Sequence, residues 1–143
     1  MSAAENKAAM QAVFAALAEG NGRPFLALMA DDFTWIVPGR TAWSRAYEGR
    51  DTCVSELFGP LYAQFTERQR IDALSFTAEG DRVIVECKGR PVRTMSGGVY
   101  GNEYCYVCRF EDGRLKSLRE YLDTEMIATE LAPPPWAVAA AAN

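Results

Sequence analysis

Apolar residues recur at helical spacing in the first part of the chain. Met10, Val13 and Leu17 lie three and four residues apart, and Ser2 and Glu5 have the spacing of a capping box. These features predict a helix that runs to about residue 19, where the sequence Gly-Asn-Gly ends it. The next proline suits the first position of a second, short helix, which ends at an Asp-Asp pair.

A strand and a third helix are predicted next. The strand is predicted over residues 33–37. Residues 38–49 show no periodic pattern of apolar positions and are predicted to form a loop whose Trp43 covers apolar surface. Apolar positions over residues 54–65 then return to helical spacing. The Gly-Pro pair inside that segment is expected to kink the third helix.

After residue 68 the pattern changes to that of strands. The predicted strands are residues 71–77, 83–88, 100–110 and 115–122. Helices first and a long antiparallel meander second indicate an α+β fold. Residues 1–131 are expected to form a single domain that ends in a helical turn or two, and the Pro- and Ala-rich residues 132–143 are expected to form a loose tail.

Composition and charge narrow the classes of protein and partner. The 143 residues are 49% hydrophobic and 24% charged, which is typical of one globular domain. The net charge of −4 has the wrong sign for binding phosphates, so no nucleic-acid partner is expected. No apolar run is long enough to span a membrane, and the first ten residues do not resemble a signal peptide. A cytoplasmic protein without membrane contact is therefore expected.

The chain has no histidine, which excludes histidine-dependent nucleophilic catalysis and histidine-bearing metal sites. An acid or base here has to be a carboxylate, a phenol, a thiol or an amine. Cys105 and Cys108 lie three apart in a predicted strand and so face opposite sides, which disfavours a shared zinc ion. We expect free cysteines and no bound metal.

Four short segments and the order of the elements resemble the nuclear transport factor 2-like family, which includes ketosteroid isomerase, limonene epoxide hydrolase and the SnoaL-like polyketide cyclases. The segments are MADDFTW at residues 29–35, EGRD at 48–51, RFEDGRL at 109–115 and REYLD at 119–123. The resemblance covers about residues 5–131. It implies a cone of three N-terminal helices packed on a strongly bent, mostly antiparallel sheet around an apolar pocket, and activities that need no metal or organic cofactor.

The resemblance implies which side of each strand faces the pocket, and the alternation of side chains along a strand then gives the residues that line it. These residues are Trp35, Val37, Asn102, Tyr104, Tyr106, Cys108, Leu118, Glu120 and Leu122, with Val13 and Phe58 from the helices. The opposite face is either a solvated surface or the contact of a homodimer. It is predicted to carry Glu86, Lys88, Glu103, Arg109, Arg119 and Tyr121.

The catalytic signatures of the best-known members are incomplete in this sequence. The resemblance places the isomerase's general-base aspartate on Val37, its phenol on Val13 and its hydrogen-bonding acid on Tyr106. The epoxide hydrolases' arginine and aspartate fall near Cys87 and Gly89. Only the third residue of their catalytic set, a carboxylate on the last strand, is matched, by Glu120. Neither activity is predicted in its known form.

Glu120 is the strongest candidate for chemistry. An apolar pocket disfavours a charged carboxyl, so its pKa should rise toward neutrality, where proton transfer is efficient. Tyr106 and Tyr104 could then donate hydrogen bonds to an oxyanion, and Trp35 could stack on the substrate. The alternatives are that Glu120 pairs with an arginine at the sheet edge and that both tyrosines are core residues with hydroxyls bonded to backbone.

Two functions remain open at this point. The first is an enzyme of the isomerase, lyase or cyclase type that moves a proton with Glu120 on a small hydrophobic or aromatic substrate. The second is a module of the same fold that binds a small apolar ligand, or serves as a dimeric scaffold, without turnover. The residues alone do not identify the substrate.

Overall fold

Two helices precede the sheet in the computed structural model, which describes residues 1–142. Helix α1 spans Ala3–Leu17 and begins with the predicted capping box. The Ser2 hydroxyl accepts from the Glu5 amide at 3.1 Å, and the Glu5 carboxylate accepts from the Ser2 amide at 3.3 Å. Helix α2, Arg23–Leu28, has its proline in the first turn. Both predicted helices are present, but α2 ends at Leu28, and the Asp-Asp pair predicted to end it lies within the strand that follows.

The segment predicted as a loop contains an edge strand. Strand β1 spans Met29–Val37, and β2, Arg45–Glu48, pairs antiparallel with it. Tyr47 is fully buried, and its hydroxyl donates to the Trp43 carbonyl at 2.7 Å. The loop prediction was wrong here because four residues with one buried position are too short to show a strand period.

The third helical segment is divided into three parts. They are α3 at Arg50–Thr52, a π-helical turn at Cys53–Phe58, and α4 at Gly59–Tyr62. Pro60 has no amide hydrogen, so the Glu56 carbonyl loses its usual donor four residues later. The Gly59 amide instead reaches five residues back to the Val54 carbonyl, which produces the π-turn. The structure has a π-helical turn next to the Gly-Pro pair that was expected to kink the helix, and the helix ends at Tyr62, earlier than predicted.

The main sheet has six strands, of which β1 and β2 are two. The others are β3 at Ile71–Glu79, β4 at Arg82–Gly89, β7 at Glu103–Glu111 and β8 at Arg114–Leu122. Their order is β2-β1-β8-β7-β4-β3, and only the β1–β8 pair is parallel. Helices packed on this mostly antiparallel sheet give the predicted α+β class.

The strand predicted over residues 100–110 is two strands. Strands β5, Val92–Arg93, and β6, Val99–Tyr100, form a separate small hairpin before β7 begins. The break falls at Gly101, where a side chain would lie 3.0 Å from backbone atoms of Pro91. Only glycine permits this close approach of two backbone segments.

Alternation in the central strands sorts residues between the two faces of the sheet. Tyr104, Tyr106 and Cys108 of β7 are buried on the concave face, whereas Cys105 is only partly buried on the other side. All four cysteines are free. On the convex face Arg109 is partly buried, and five other predicted residues are exposed, namely Glu86, Lys88, Glu103, Arg119 and Tyr121.

The C-terminal segment is ordered against the helices and is not the loose tail that composition suggested. Helix α5 spans Thr124–Glu130 and α6 spans Pro135–Ala142. The Trp136 indole donates at 2.8 Å to the Glu56 carbonyl, the acceptor that the proline of α4 leaves free. The Arg45 guanidinium lies 4.1 Å from the Trp136 ring centroid. No helix within residues 1–142 is both long and apolar enough to cross a membrane.

Candidate functional site

A cavity of about 140 Å³ lies between the concave face of the sheet and the helices. Strand β1 contributes Trp35, β7 contributes Tyr104 and Tyr106, β8 contributes Glu120, and the π-turn contributes Phe58. Except for the carboxyl and a few hydroxyl and amide groups, the wall is apolar. A cavity of this size and character can hold an aromatic ring, since an engineered apolar cavity of about 150 Å³ binds benzene.

Most of the candidate residues are brought together by the fold. Those that line the cavity are Trp35, Val37, Phe58, Tyr104, Tyr106, Glu120 and Leu122. Val13, Asn102, Cys108 and Leu118 do not line it. The face of each strand residue was therefore predicted correctly, but the extent of the cavity along the strands was not.

Three of the four misplaced residues lie in the solid part of the core. Cys108 and Leu118 are directly opposed across β7 and β8, and both have no exposed surface. Helix α1 packs on β3 and β4 and brings Phe14 against the Tyr106 ring, with 6.1 Å between ring centroids. Val13 belongs to the same helix and is buried in this packing. These side chains fill the end of the concave face next to the cavity.

Asn102, the fourth, is fully engaged with the protein. Its side-chain amide donates at 3.0 Å to the Tyr100 hydroxyl and at 3.0 Å to the Asp123 carbonyl. Its side-chain oxygen accepts from the Glu103 amide at 2.8 Å and from the Asp123 amide at 3.0 Å. Asn102 therefore ties the start of β7 to the end of β8 and has no role in the cavity wall.

We predict that Asn102→Ala lowers the free energy of unfolding by about 2 kcal/mol, because buried amide and carbonyl groups lose their partners. Urea denaturation followed by circular dichroism measures this change. Asn21→Ala is a matched control, since Asn21 is exposed and its side chain accepts only a local bond from the Arg23 amide. The control is expected to change stability by no more than about 0.5 kcal/mol, and equal losses in the two variants contradict the prediction.

Glu120 projects from β8 into the cavity, directly opposite Tyr106 of β7. The Trp35 indole donates to a Glu120 carboxylate oxygen at 3.4 Å. None of the ion pairs among residues 1–142 includes Glu120, and Arg119 points to the opposite face. The sheet-edge ion pair considered as an alternative is therefore not formed.

Burial raises the pKa of Glu120 from 4.5 to about 7. The cause is loss of hydration in an apolar wall, which penalises the charged carboxylate. Hydrogen bonding from Trp35 and Tyr106 favours the charged form and offsets part of this rise. Near neutral pH both protonation states are populated, so the group can accept a proton and return it.

The two tyrosines beside Glu120 remain protonated and can act as donors. Burial, and the charge of Glu120, raise the pKa of both Tyr104 and Tyr106 well above 10. The Tyr104 hydroxyl accepts from the Gln69 side chain at 3.2 Å and interacts with the Tyr100 hydroxyl, a partner that a substrate oxygen would have to replace. The rings lie 5.2 Å apart, so both are held in one wall.

Several cavity residues were missed from the sequence. Tyr62 stacks on Phe58 with 6.2 Å between ring centroids, and Gln69 contributes an amide from the loop before β3. The Phe58–Tyr62 spacing of four residues was a usable helical signal. Gln69 had none, because an irregular segment has no period from which its direction can be read.

The thiols offer neither a nucleophile nor a metal site. Burial raises the pKa of Cys53 to about 11 and also raises that of Cys87 and Cys108, so these thiols stay protonated. Within the described part of the chain, no three cysteine, aspartate or glutamate side chains come together as metal ligands. The carboxyl of Glu120 is the group in the cavity best suited to chemistry.

Comparisons with known proteins agree with this architecture. Residues 10–118 match the family model of the SnoaL-like domain. An uncharacterised PhzA/B-like protein of Pseudomonas aeruginosa is 33% identical over 93 residues, which are 63% of this chain and 61% of that protein. The match therefore spans about three fifths of the relative's length.

Solved structures extend the likeness to nearly the whole chain. A nuclear transport factor 2-like protein from Burkholderia xenovorans is 25% identical with a TM-score of 0.70, over 92% of this chain and 99% of that one. A protein from Jannaschia, provisionally described as a SnoaL-like polyketide cyclase, is 18% identical with a TM-score of 0.71, over 91% and 94%. At these identities the likeness is one of fold, and activity has to be argued from the site.

Proposed function

Because the chain belongs to the SnoaL-like domain family, with the nuclear transport factor 2-like fold, we propose that it is an acid-base enzyme of the isomerase, lyase or cyclase type. The proposed substrate is a small hydrophobic or aromatic molecule bound in the cavity, and no metal or organic cofactor is required. The observation that carries this proposal is the Glu120 carboxyl, set in an apolar cavity beside two phenols with a pKa near 7.

The proposed chemistry is proton transfer next to a carbonyl group. The ionised Glu120 carboxylate removes a proton from the carbon adjacent to the carbonyl, and the electron pair moves onto the carbonyl oxygen. The Tyr106 hydroxyl, with Tyr104 as a second donor, stabilises that oxygen as an enolate. The protonated Glu120 then returns the proton to the same carbon or to another atom of the substrate.

Cavity size and wall chemistry define the substrate class. A volume of about 140 Å³ accommodates one ring, and larger molecules have to extend through the mouth. The Trp35 and Tyr106 rings meet at 74° with centroids 5.6 Å apart, forming a rigid aromatic corner. Such a wall favours a flat, unsaturated ring over a flexible chain.

Deuterium exchange tests the proposal without knowledge of the natural substrate. Acetophenone, 1-indanone and 2-tetralone are incubated with the protein in deuterated buffer, and proton NMR follows loss of the signals next to the carbonyl. The proposal expects exchange above the buffer rate and proportional to protein concentration. Ligand-induced shifts of the Trp35 and Trp43 indole signals without any exchange contradict it and support a binding module.

The binding module is retained as a second candidate for one specific reason. Val37 lines the cavity at the position where the resemblance to the isomerases places their catalytic aspartate. That apolar residue leaves Glu120 as the only carboxyl among the cavity-lining residues that the structure describes. A pocket with one carboxyl can bind a ligand through its hydrogen bonds without catalysing its conversion.

A further inference from the structure

A second, more polar cleft of about 430 Å³ adjoins the candidate active site. The two share Leu17, Tyr62 and Gln69 among their wall residues, so the cleft is the outer continuation of the cavity. Beyond the shared wall, the cleft is lined by Glu67 and Arg68. A ligand whose ring occupies the cavity can therefore place a polar substituent in this outer cleft.

Arg68 is held beside the cleft by the turn after α1. A side chain at Gly20 would lie 3.4 Å from the Arg68 β-carbon and 3.6 Å from its δ-carbon, so the arginine stem runs along this turn. Gly20 has a φ of +78°, a conformation that glycine adopts without strain. The Arg68 guanidinium is exposed and takes part in none of the ion pairs among residues 1–142.

Arg68 and Glu67 are the charged residues among those that line the outer cleft. The Arg70 stem also lies near the Gly20 turn, but Arg70 does not line the cleft, and its charge interacts with that of Asp72. Arg68 is therefore the cationic group that a ligand in the cleft can reach. The carboxylate at the wall would repel a dianion more strongly than a monoanion.

We propose that the ligand is a ring compound that bears a carboxylate, which binds Arg68 in the outer cleft while the ring occupies the inner cavity. An arginine matches a carboxylate with two parallel hydrogen bonds, so it fixes orientation as well as charge. This inference rests on the proposed use of the inner cavity as a substrate site. It adds the chemical class of the substrate and the residue that selects it.

The test compares acids with their neutral amides. Benzoate, phenylacetate, 3-phenylpropionate and 4-phenylbutyrate, each paired with the corresponding amide, are titrated into the full-length protein and followed by two-dimensional NMR. In the wild type the best acid is expected to bind about fivefold more tightly than its amide. Arg68→Gln is expected to weaken binding of that acid about fivefold and to leave the amide unchanged.

Arg82→Gln serves as a matched control. Arg82 is exposed and unpaired in the described structure, and it begins the strand whose other end, Gly89, lies near Gln69. The two ends of that strand are roughly 23 Å apart at about 3.3 Å per residue. Loss of this distant charge is expected to leave acid binding unchanged, whereas added salt should weaken binding of the acid but not of the amide.

The outcomes separate this inference from the proposed function. If the amides bind and the acids bind no more tightly, or if Arg68→Gln and Arg82→Gln weaken the acids equally, the carboxylate site is overturned and the cavity stands. If neither acids nor amides perturb the Trp35 and Trp43 signals, the cavity does not accept a ring, and both proposals fail.

Discussion

Glu120→Gln is expected to lower the rate of deuterium exchange by two to four orders of magnitude while changing ligand affinity by less than about threefold. Proton transfer by a positioned side chain contributes roughly 10²- to 10⁴-fold to catalysis, and an amide cannot accept the proton. Glutamine nevertheless keeps the shape of the side chain and an oxygen that can accept from the Trp35 indole. Binding and turnover should therefore separate in this variant.

Exchange rates and NMR titrations of the same ketones measure the two quantities. Glu86→Gln is the matched control, because Glu86 is an exposed carboxylate on the convex face and its removal should leave the rate unchanged. The wild-type rate should also rise with pH and level off above about 7, since only ionised Glu120 acts as the base. Exchange by Glu120→Gln at the wild-type rate would remove this residue from the mechanism.

The second large effect concerns stability. Glu120 has a folded-state pKa of about 7 against an ordinary value of 4.5, so the folded protein binds its proton more tightly than the unfolded chain does. The free energy of unfolding therefore decreases as the pH rises from 4.5 through about 7. Because Glu120 is only half-buried, a shift of this size corresponds to at most about 3 kcal/mol, fully developed only above the folded-state pKa.

Glu120→Gln removes this penalty and should be the more stable protein at pH 8. Urea unfolding of both proteins between pH 4.5 and 8 is expected to give a difference that grows from near zero to at most about 3 kcal/mol. Asp32 and Asp72 have lowered pKa values that shift stability in the opposite direction at acid pH, but they are present in both proteins and cancel in the difference. A variant less stable than the wild type at pH 8 would indicate a charged, ion-paired Glu120.

Such a stabilised but inactive variant is characteristic of a functional residue. A carboxyl in an apolar cavity is unfavourable for folding, and a chain selected for stability alone would carry an uncharged side chain there. The fold does not require a glutamate at position 120, because the alternation of inward- and outward-facing positions along β8 is kept with any side chain that fits the cavity wall. The expected gain in stability of Glu120→Gln, once measured, would therefore support a chemical role independently of the exchange experiment.

Local signals in the sequence determined most of the helices and strands and the direction of side chains within each strand. The capping box at Ser2 marked the start of α1, and the Gly-Pro pair marked the irregular third helix. Alternation put Tyr104 and Tyr106 on one face of their strand, and the family resemblance implied that Glu120 shares that face. These predictions held because each depends on neighbours within a few residues: helix caps on the first turn, and strand facing on a period of two.

Only the tertiary structure decided where along the strands the cavity lies. Cys108 and Leu118 share the inward face with Glu120, yet they lie in the filled core next to the cavity. The two-residue alternation along a strand tells which face of the sheet a side chain lies on. It carries no information about which distant segment covers that side chain. The prediction of a loose tail was wrong for the same reason. Trp136 donates to the Glu56 carbonyl, which lies 80 residues earlier and which Pro60 leaves free, a match between separate segments that composition cannot reveal.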